Sequence, residues 1–485
     1  MKLRALVLFG LLAACRQPPP VDSATTTAAT VAAAPVALAP AQRQPGECET
    51  LFDVETPDTL RLRDGNVVLY ANEQVGLAVV DVSDADRPKM KGVSELVGEP
   101  AGVFVLRGLG VLVATPSSSY GTVTLRAIAI DSVRTVNELT LSGRIRDARR
   151  VGDFVVVTRT TDDGMTAVTS FGVSEKGLVK HDEVVLDGRA AVTGASPRGI
   201  AVARNGATDQ VLVTWIAMHP DTGGFATRGT TSFAGWIPRW RPSRGVIDVT
   251  EDDRARFVTC SSTACDASGT AAYAAVDFAN PSEPRVTSWN LLARAGDGVI
   301  GFQGTRLVVA RPTTDRSDAS ELSFYGTETG LVPIGRVRLR GTVGSIAVRD
   351  SGDVVTIGWT GSASAGKRAI LHQIDAKGTP RLVGAATFGG DWTWTRAYDD
   401  DRALGFDPRG AVAALPMTTV RGPAGPTNAA QIFSFESDGP KAIGEEPVTL
   451  ADRLLFVNGR LLAFSPDGVV VLRREGETGT EHRWR

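Results

Sequence analysis

The sequence predicts an all-β fold in which four-stranded units repeat around a central axis, and three observations carry that prediction. The first is a recurring strand end. Val80-Asp81-Val82-Ser83-Asp84-Ala85-Asp86-Arg87-Pro88 and Val276-Asp277-Phe278-Ala279-Asn280-Pro281-Ser282-Glu283-Pro284 both run from an apolar stretch into a turn. In such a turn Asp or Asn accepts backbone hydrogen bonds and Pro presets the exit. Related strand ends stand at Ile130-Asp131, Gly172-Val173-Ser174, Phe324-Tyr325-Gly326, Ile374-Asp375 and Phe435-Glu436. They are spaced by roughly 40 to 60 residues, with one double interval between Val173 and Asp277. The second observation is the content of a unit: between Gly102 and Gly143 the segments GVFVLRG, LGVLVAT, TLRAIAID and VNELTLSG follow one another. Each alternates apolar with polar or small residues, is rich in β-branched side chains and ends at Gly, Asp or Asn. The third is that helical periodicity is almost absent.

Units of four strands repeating radially define a β-propeller, whereas a stacked solenoid needs much shorter repeats. A degenerate unit around 230–237 fills the double interval and brings the count to about eight blades. The irregular stretch 190–249 leaves seven to nine compatible. The last strand set, ADRLLFVNGRLLAFSPDGVVVLRRE at 451–475, is expected to close the ring by strand exchange with the segment after Cys48, so that no sheet edge stays open. The propeller domain is therefore assigned to residues 48–485, as a monomer.

The chain begins MKLRALVLFGLLAAC. Lys2 and Arg4 make a positive n-region, Ala5 to Leu12 an apolar h-region, and Leu12-Ala13-Ala14-Cys15 has the small-residue pattern of a bacterial lipobox. An apolar run of about ten residues falls short of the roughly twenty needed to span a bilayer, so residues 1–15 read as a cleaved lipoprotein signal. Cys15 then becomes the first mature residue and carries acyl chains on sulfur and amino group; more than one lipid gives stable anchoring. Arg16 follows it, which under enterobacterial sorting logic permits passage to the outer membrane. Residues 16–47, with Pro18-Pro19-Pro20 and VDSATTTAATVAAAPVALAPAQRQPGE, contain no aromatic residue. Ala, Thr and Pro without apolar periodicity cannot offset the entropy of ordering, so this stretch is expected to be a disordered tether. It spans on the order of 30 Å and holds the domain clear of the lipid headgroups.

Composition narrows the partners. With 42% hydrophobic and 22% charged residues and a formal net charge of -2, the chain has no excess of Lys and Arg with which to bind phosphates. Nucleic acid is therefore not expected as a ligand.

Gly76-Leu77-Ala78-Val79-Val80-Asp81-Val82-Ser83-Asp84 with Pro88 resembles the LVIVDVSDPxxP-like repeat of bacterial surface proteins that build propellers. Three further pieces resemble a family of secreted bacterial proteins with a C-terminal β-propeller domain of uncharacterised function. They are VETPDTLRLRDGNVVLYAN, WTRAYDDDRALGFDPRGAVAALP at 394–416, and DRLLFVNGRLLAFSPDGVVVL. Where that family has a His-Lys pair after Tyr-Asp, this chain has Asp400-Asp401-Arg402. The resemblance implies fold and envelope location; it implies no catalytic residues.

Catalytic chemistry is sparse. His181, His219, His372 and His482 stand apart, without the spacing of a helix-borne zinc site, and no Gly-x-Ser-x-Gly elbow or phosphate loop precedes a helix. No cofactor is expected. Acidic clusters stand at Asp81, Asp84 and Asp86, at Asp162 and Asp163, and at Glu251, Asp252 and Asp253. If a cation such as Ca²⁺ binds, Asp399, Asp400 and Asp401 are the choice, because Tyr398 and Arg402 can fix their loop.

Gly235-Trp236-Ile237-Pro238-Arg239-Trp240-Arg241-Pro242 is the leading candidate for a ligand or partner loop. It sets Trp236, Arg239, Trp240 and Arg241, residue types that dominate interface hot spots, in a Pro-bounded segment. Trp392 and Trp394, two apart on a predicted strand, are expected to pack between blades. Cys260 and Cys265 have the spacing of a disulfide that staples a hairpin loop, at the low end of the usual 2–4 kcal/mol, and Cys48 has no assigned partner.

The functional expectation is a lipid-anchored cell-envelope propeller, periplasmic or surface-facing, that binds protein or glycan partners without catalysis. The alternatives are a propeller hydrolase or lyase with a cation or His at the central funnel, and a scaffold for outer-membrane assembly.

Overall fold

A computed structural model describes residues 60–63, 66–119, 121–207, 209–237, 247–260, 270–292, 299–313, 318–349, 351–361, 367–407, 410–420, 426–472 and 480–483. The expected signal peptide with Cys15, the tether at 16–47, and Cys48 lie outside them.

Among the described residues the chain forms nine antiparallel sheets, each a meander whose strands pair in chain order. They occupy residues 60–94, 98–142, 144–186, 190–234, 247–292, 299–340, 342–388, 393–447 and 453–483, numbered here as blades 1 to 9. First strands adjoin first strands around the axis, and fourth strands such as Arg134–Ser142 and Arg285–Leu292 are the most exposed. No helix among the described residues is long and apolar enough to cross a membrane.

The recurring turn chemistry behaves as its residues dictate. Asp81 accepts the Ser83 N–H at 2.9 Å, Asp277 that of Ala279 at 2.8 Å and Asp375 that of Lys377 at 3.2 Å. These bonds hold the Asp81 and Asp375 carboxyls below the ordinary carboxylate range.

Among the described residues nine apolar clusters hold the ring together, one for each interface between neighbouring blades. Strand alternation makes this arrangement. In blade 6, Leu307 and Val309 face blade 5 while Val308 and Ala310 face blade 7, so both sides of each sheet are buried. Each fully buried Val, Leu or Phe contributes about 1.5–3 kcal/mol, which places the bulk of the stability between blades.

One expectation is sharpened and one corrected. The count is nine, within the seven-to-nine range and one above its centre, because the last strand set forms a blade of its own while the double interval holds the expected single blade, at 190–234. Among the described residues the ring closes by face packing, with no strand exchanged between blades 9 and 1. Thr480–Arg483 pairs with Gly468–Leu472 inside blade 9, and Leu60–Arg63 pairs with Val67–Asn72 inside blade 1. Val68, Tyr70, Ala78 and Val80 of blade 1 pack on Leu462, Phe464, Val469 and Val471 of blade 9. Arg460 adds an ion pair to Asp86 at 2.6 Å across the same seam.

The alternating strand directions sort the connections onto two faces. Links between second and third strands, and between one blade's fourth strand and the next blade's first, emerge on what is here called the upper face.

Candidate functional site

Blade 8 is where the repeat breaks. Its inner strand starts as Thr393–Trp394, paired with Thr419 and Thr418, and resumes as Gly405–Phe406, paired with Ala414 and Ala413. Between these pieces the chain makes two 3-10 turns, Arg396–Tyr398 and Asp401–Ala403. Pro416, on the second strand, explains the gap. Its carbonyl points inward and accepts from Thr395 Oγ1 at 2.6 Å, and a proline offers no N–H on that side for a ladder. Thr395 also caps the first turn by accepting the Ala397 N–H.

Ion pairs anchor the insert to its neighbours. Asp400, only 1% exposed, caps the second turn through Oδ1, which accepts from the Arg402 backbone N–H and from Arg402 Nε at 3.0 Å. Its Oδ2 accepts from Arg453 Nη2 of blade 9 at 2.6 Å. Burial pulls the Arg453 guanidinium down to about 10, against the opposing pull of Asp400. Asp452, the residue before Arg453, accepts from Arg396 at 2.8 Å, from the Tyr70 hydroxyl at 2.8 Å and from Asn72 at 3.0 Å. Burial first, then the Asp452 carboxylate, pushes the Tyr70 phenol well above its ordinary range. One network therefore ties blade 8 to blade 9 and to blade 1.

Asp399, Asp400 and Asp401 thus stand in the two turns, with Asp400 spent on arginines. Among the described residues no group of three or more His, Cys, Asp or Glu side chains is gathered as a metal site. The other acidic clusters close loops: Asp163 bonds Thr161, Asp252 bonds Thr250, and the buried Asp253 bonds Ser196 and pairs with Arg198 at 2.9 Å.

His181 lies on the fourth strand of blade 3, edge-on to Phe154, and His219 lies in a lower-face loop of blade 4. His372 is buried in blade 7, with Nδ1 3.0 Å from Thr356 Oγ1, and burial lowers its pKa to about 4. It stays neutral at physiological pH.

Trp236 forms an isolated bridge with Cys260, each N–H donating to the other's carbonyl at 2.8 Å. The Asn205 carboxamide clamps the Ile237 N–H and C=O, both at 2.8 Å. The base of the expected ligand loop is thereby fixed to blades 4 and 5; Arg239, Trp240 and Arg241 lie outside the described residues. Cys260 is buried at the end of a blade 5 strand, and Cys265 is outside the described residues.

The expected inter-blade packing of Trp392 and Trp394 does not occur: they are 49% and 47% exposed on the upper face. Trp392 holds a φ of 60°, outside the range bulky residues ordinarily adopt. Gly389, also left-handed, and Thr393, whose Oγ1 donates to the Gly390 carbonyl at 2.7 Å, hold it there. Sequence reading missed Asp452 and Arg453. An arginine opening the otherwise apolar run Arg453-Leu454-Leu455-Phe456-Val457 was the available signal.

The fold is a nine-bladed β-propeller, interrupted at one blade by a wired insert that carries exposed aromatics. No family model matches the chain, and no curated protein matches it. Among solved structures it is similar to dihydro-heme d1 dehydrogenase NirN in complex with DHE, at 14% identity and a TM-score of 0.49, covering 84% of this chain and 81% of that one. It is similar to Sqt1 of Saccharomyces cerevisiae at 10% identity and a TM-score of 0.46, covering 82% and 97%. Hsv2 of Kluyveromyces lactis follows at 11% identity and a TM-score of 0.40, covering 69% and 98%. Likenesses this distant say nothing about activity.

Proposed function

We propose that this protein is a lipid-anchored cell-envelope propeller that binds protein or glycan partners as a non-catalytic module. One observation carries the binding role: two tryptophans stand half-exposed on a segment pinned by the Thr393 and Thr395 hydroxyls to the Gly390 and Pro416 carbonyls, one of them with its backbone in a left-handed conformation. Strain of this kind persists only where surrounding structure enforces it, and it concentrates at ligand-binding surfaces. Exposed Trp on a rigid frame loses little conformational entropy on binding, which is why such residues dominate hot spots. The lipobox ending at Cys15 supports the anchor, and 16–47 supports a tether that presents the ring near a membrane. A Cys260–Cys265 disulfide in the oxidising envelope would brace the loop beside Trp236.

The test has two arms. Metabolic labelling with a fatty acid is expected to mark the native chain and not Cys15→Ser; equal labelling removes the anchor. Capture from membrane extracts with the tagged domain is expected to enrich an envelope protein or glycan, and repeated failure to enrich either removes the binding role.

A further inference from the structure

Resting on that binding role, we infer that the upper-face groove between blades 8 and 9 takes a neutral glycan chain, with a sugar ring stacked on Trp394. Trp394 pairs in register with Thr418, and Thr418 with Asn428, so the three side chains form a row on one side of the sheet. Strand alternation says which side. Ala413, Leu415 and Met417 pack toward blade 7 and Ala414 toward blade 9, so Thr418 and its row face blade 9. Val420, 43% exposed, lies on the same side.

The opposite wall is the connection that crosses from the rim of blade 8 to the axis of blade 9. Leu450 stands on it, 59% exposed with a φ of 44°. Of the seven non-glycine residues with positive φ among those described, Trp392 and Leu450 are the two large apolar side chains left exposed, one on the connection into blade 8 and the other on the connection out of it.

The chemistry of the row selects the occupant. Thr418 Oγ1 donates to Asn428 Oδ1 at 2.7 Å, which commits the amide oxygen to the protein and leaves the half-buried Asn428 its Nδ2 donors for a ligand. Trp394 thus lies beside a hydroxyl acceptor and amide donors, with no charge in the row. A pyranose ring offers the complement: an apolar C–H face for the indole and a rim of hydroxyls for Thr418 and Asn428. A peptide adding as a strand needs a free ladder edge, and at Pro416 that edge has no N–H and gives its carbonyl to Thr395.

The experiment titrates the full chain with cellohexaose, chitohexaose and maltohexaose, following tryptophan fluorescence. Native protein is expected to saturate with at least one of them. Trp394→Ala is expected to weaken that binding at least tenfold and Asn428→Ala about threefold. Trp289→Ala, which removes a 40% exposed tryptophan of blade 5, is expected to leave it unchanged. Thermal melting checks folding, and Trp394→Phe, which keeps an aromatic face, is expected to restore part of the affinity. Absence of saturation with all three sugars, Trp394→Ala binding like native protein, or equal loss in Trp289→Ala each overturns the inference. A membrane-extract protein captured through Trp394 while no sugar binds overturns the glycan and leaves the binding role standing; capture of nothing removes both.

Discussion

Blades 2 and 8 share one plan and use it differently. In blade 2 the inner strand Gly98–Leu106 pairs along its whole length with Leu109–Pro116, apart from one bulge after Pro100, and its apolar side chains from Ala101 to Leu106 pack into the clusters on either side. In blade 8 the corresponding strand is cut in two, and ion pairs replace the missing ladder. Apolar packing makes a regular blade tolerant of neighbours of similar shape, whereas charge pairs at Asp400 and Asp452 specify one geometry. The difference separates frame from site: the regular blades supply stiffness, and the irregular one fixes where its exposed aromatics stand.

The contrast can be broken most forcefully at the buried pair. Asp400→Ala leaves Arg453 charged, 3% exposed and without that carboxylate, which is expected to cost about 3–5 kcal/mol and several degrees of melting temperature. Asp400→Ala with Arg453→Met is expected to recover a large part of the loss. A melt unchanged by Asp400→Ala would contradict the wired insert.

Leu462→Ala at the seam between blades 9 and 1 is expected to cost about 2–5 kcal/mol, as a core leucine anywhere in the ring would. A much smaller loss on thermal melting would mean that face packing does not close the ring.

A third, smaller effect is set by pH. The neutral form of His372 is favoured in the folded state, with a pKa of about 4 against an ordinary 6.5. The unfolded chain therefore binds the proton first, and stability is full above about pH 6.5 and falls as pH drops toward 4. The slope of melting temperature over that window is expected to flatten in His372→Gln. An identical slope would place the pH dependence elsewhere.

Asp452→Asn is expected to cost about 1 kcal/mol, since this carboxylate is partly exposed and keeps a carbonyl acceptor after the change. Smallest of all, Trp394→Ala is expected to leave the melting temperature within about a degree, because a half-exposed side chain contributes little to the core.

Much of the frame was legible in local sequence. Asp81, Asp277 and Asp375 carry their turn signature within a few residues, and the bonds they make are local. The ninth blade was miscounted because ring closure is a long-range choice: the same apolar strands at the chain end satisfy either strand exchange or a complete sheet. Blade 8 was harder still. Thr393, Trp394 and Thr395 read as a strand, and only Pro416, about twenty residues on, ends the ladder there. Asp400 and its partner Arg453 are separated by 53 residues, so no local pattern announces the pair. Trp392 and Trp394 looked like packing residues because alternation gives spacing without telling which side is covered.

The central claim is that recognition belongs to the groove beside blade 8 and that the regular blades are its frame. Its most direct test is capture from membrane extracts by full chains that differ in one tryptophan, with recovered partner quantified against the native protein. Trp392→Ala and Trp394→Ala are expected to lose most of the captured material while Trp289→Ala keeps it. Equal recovery by all three variants would contradict the claim.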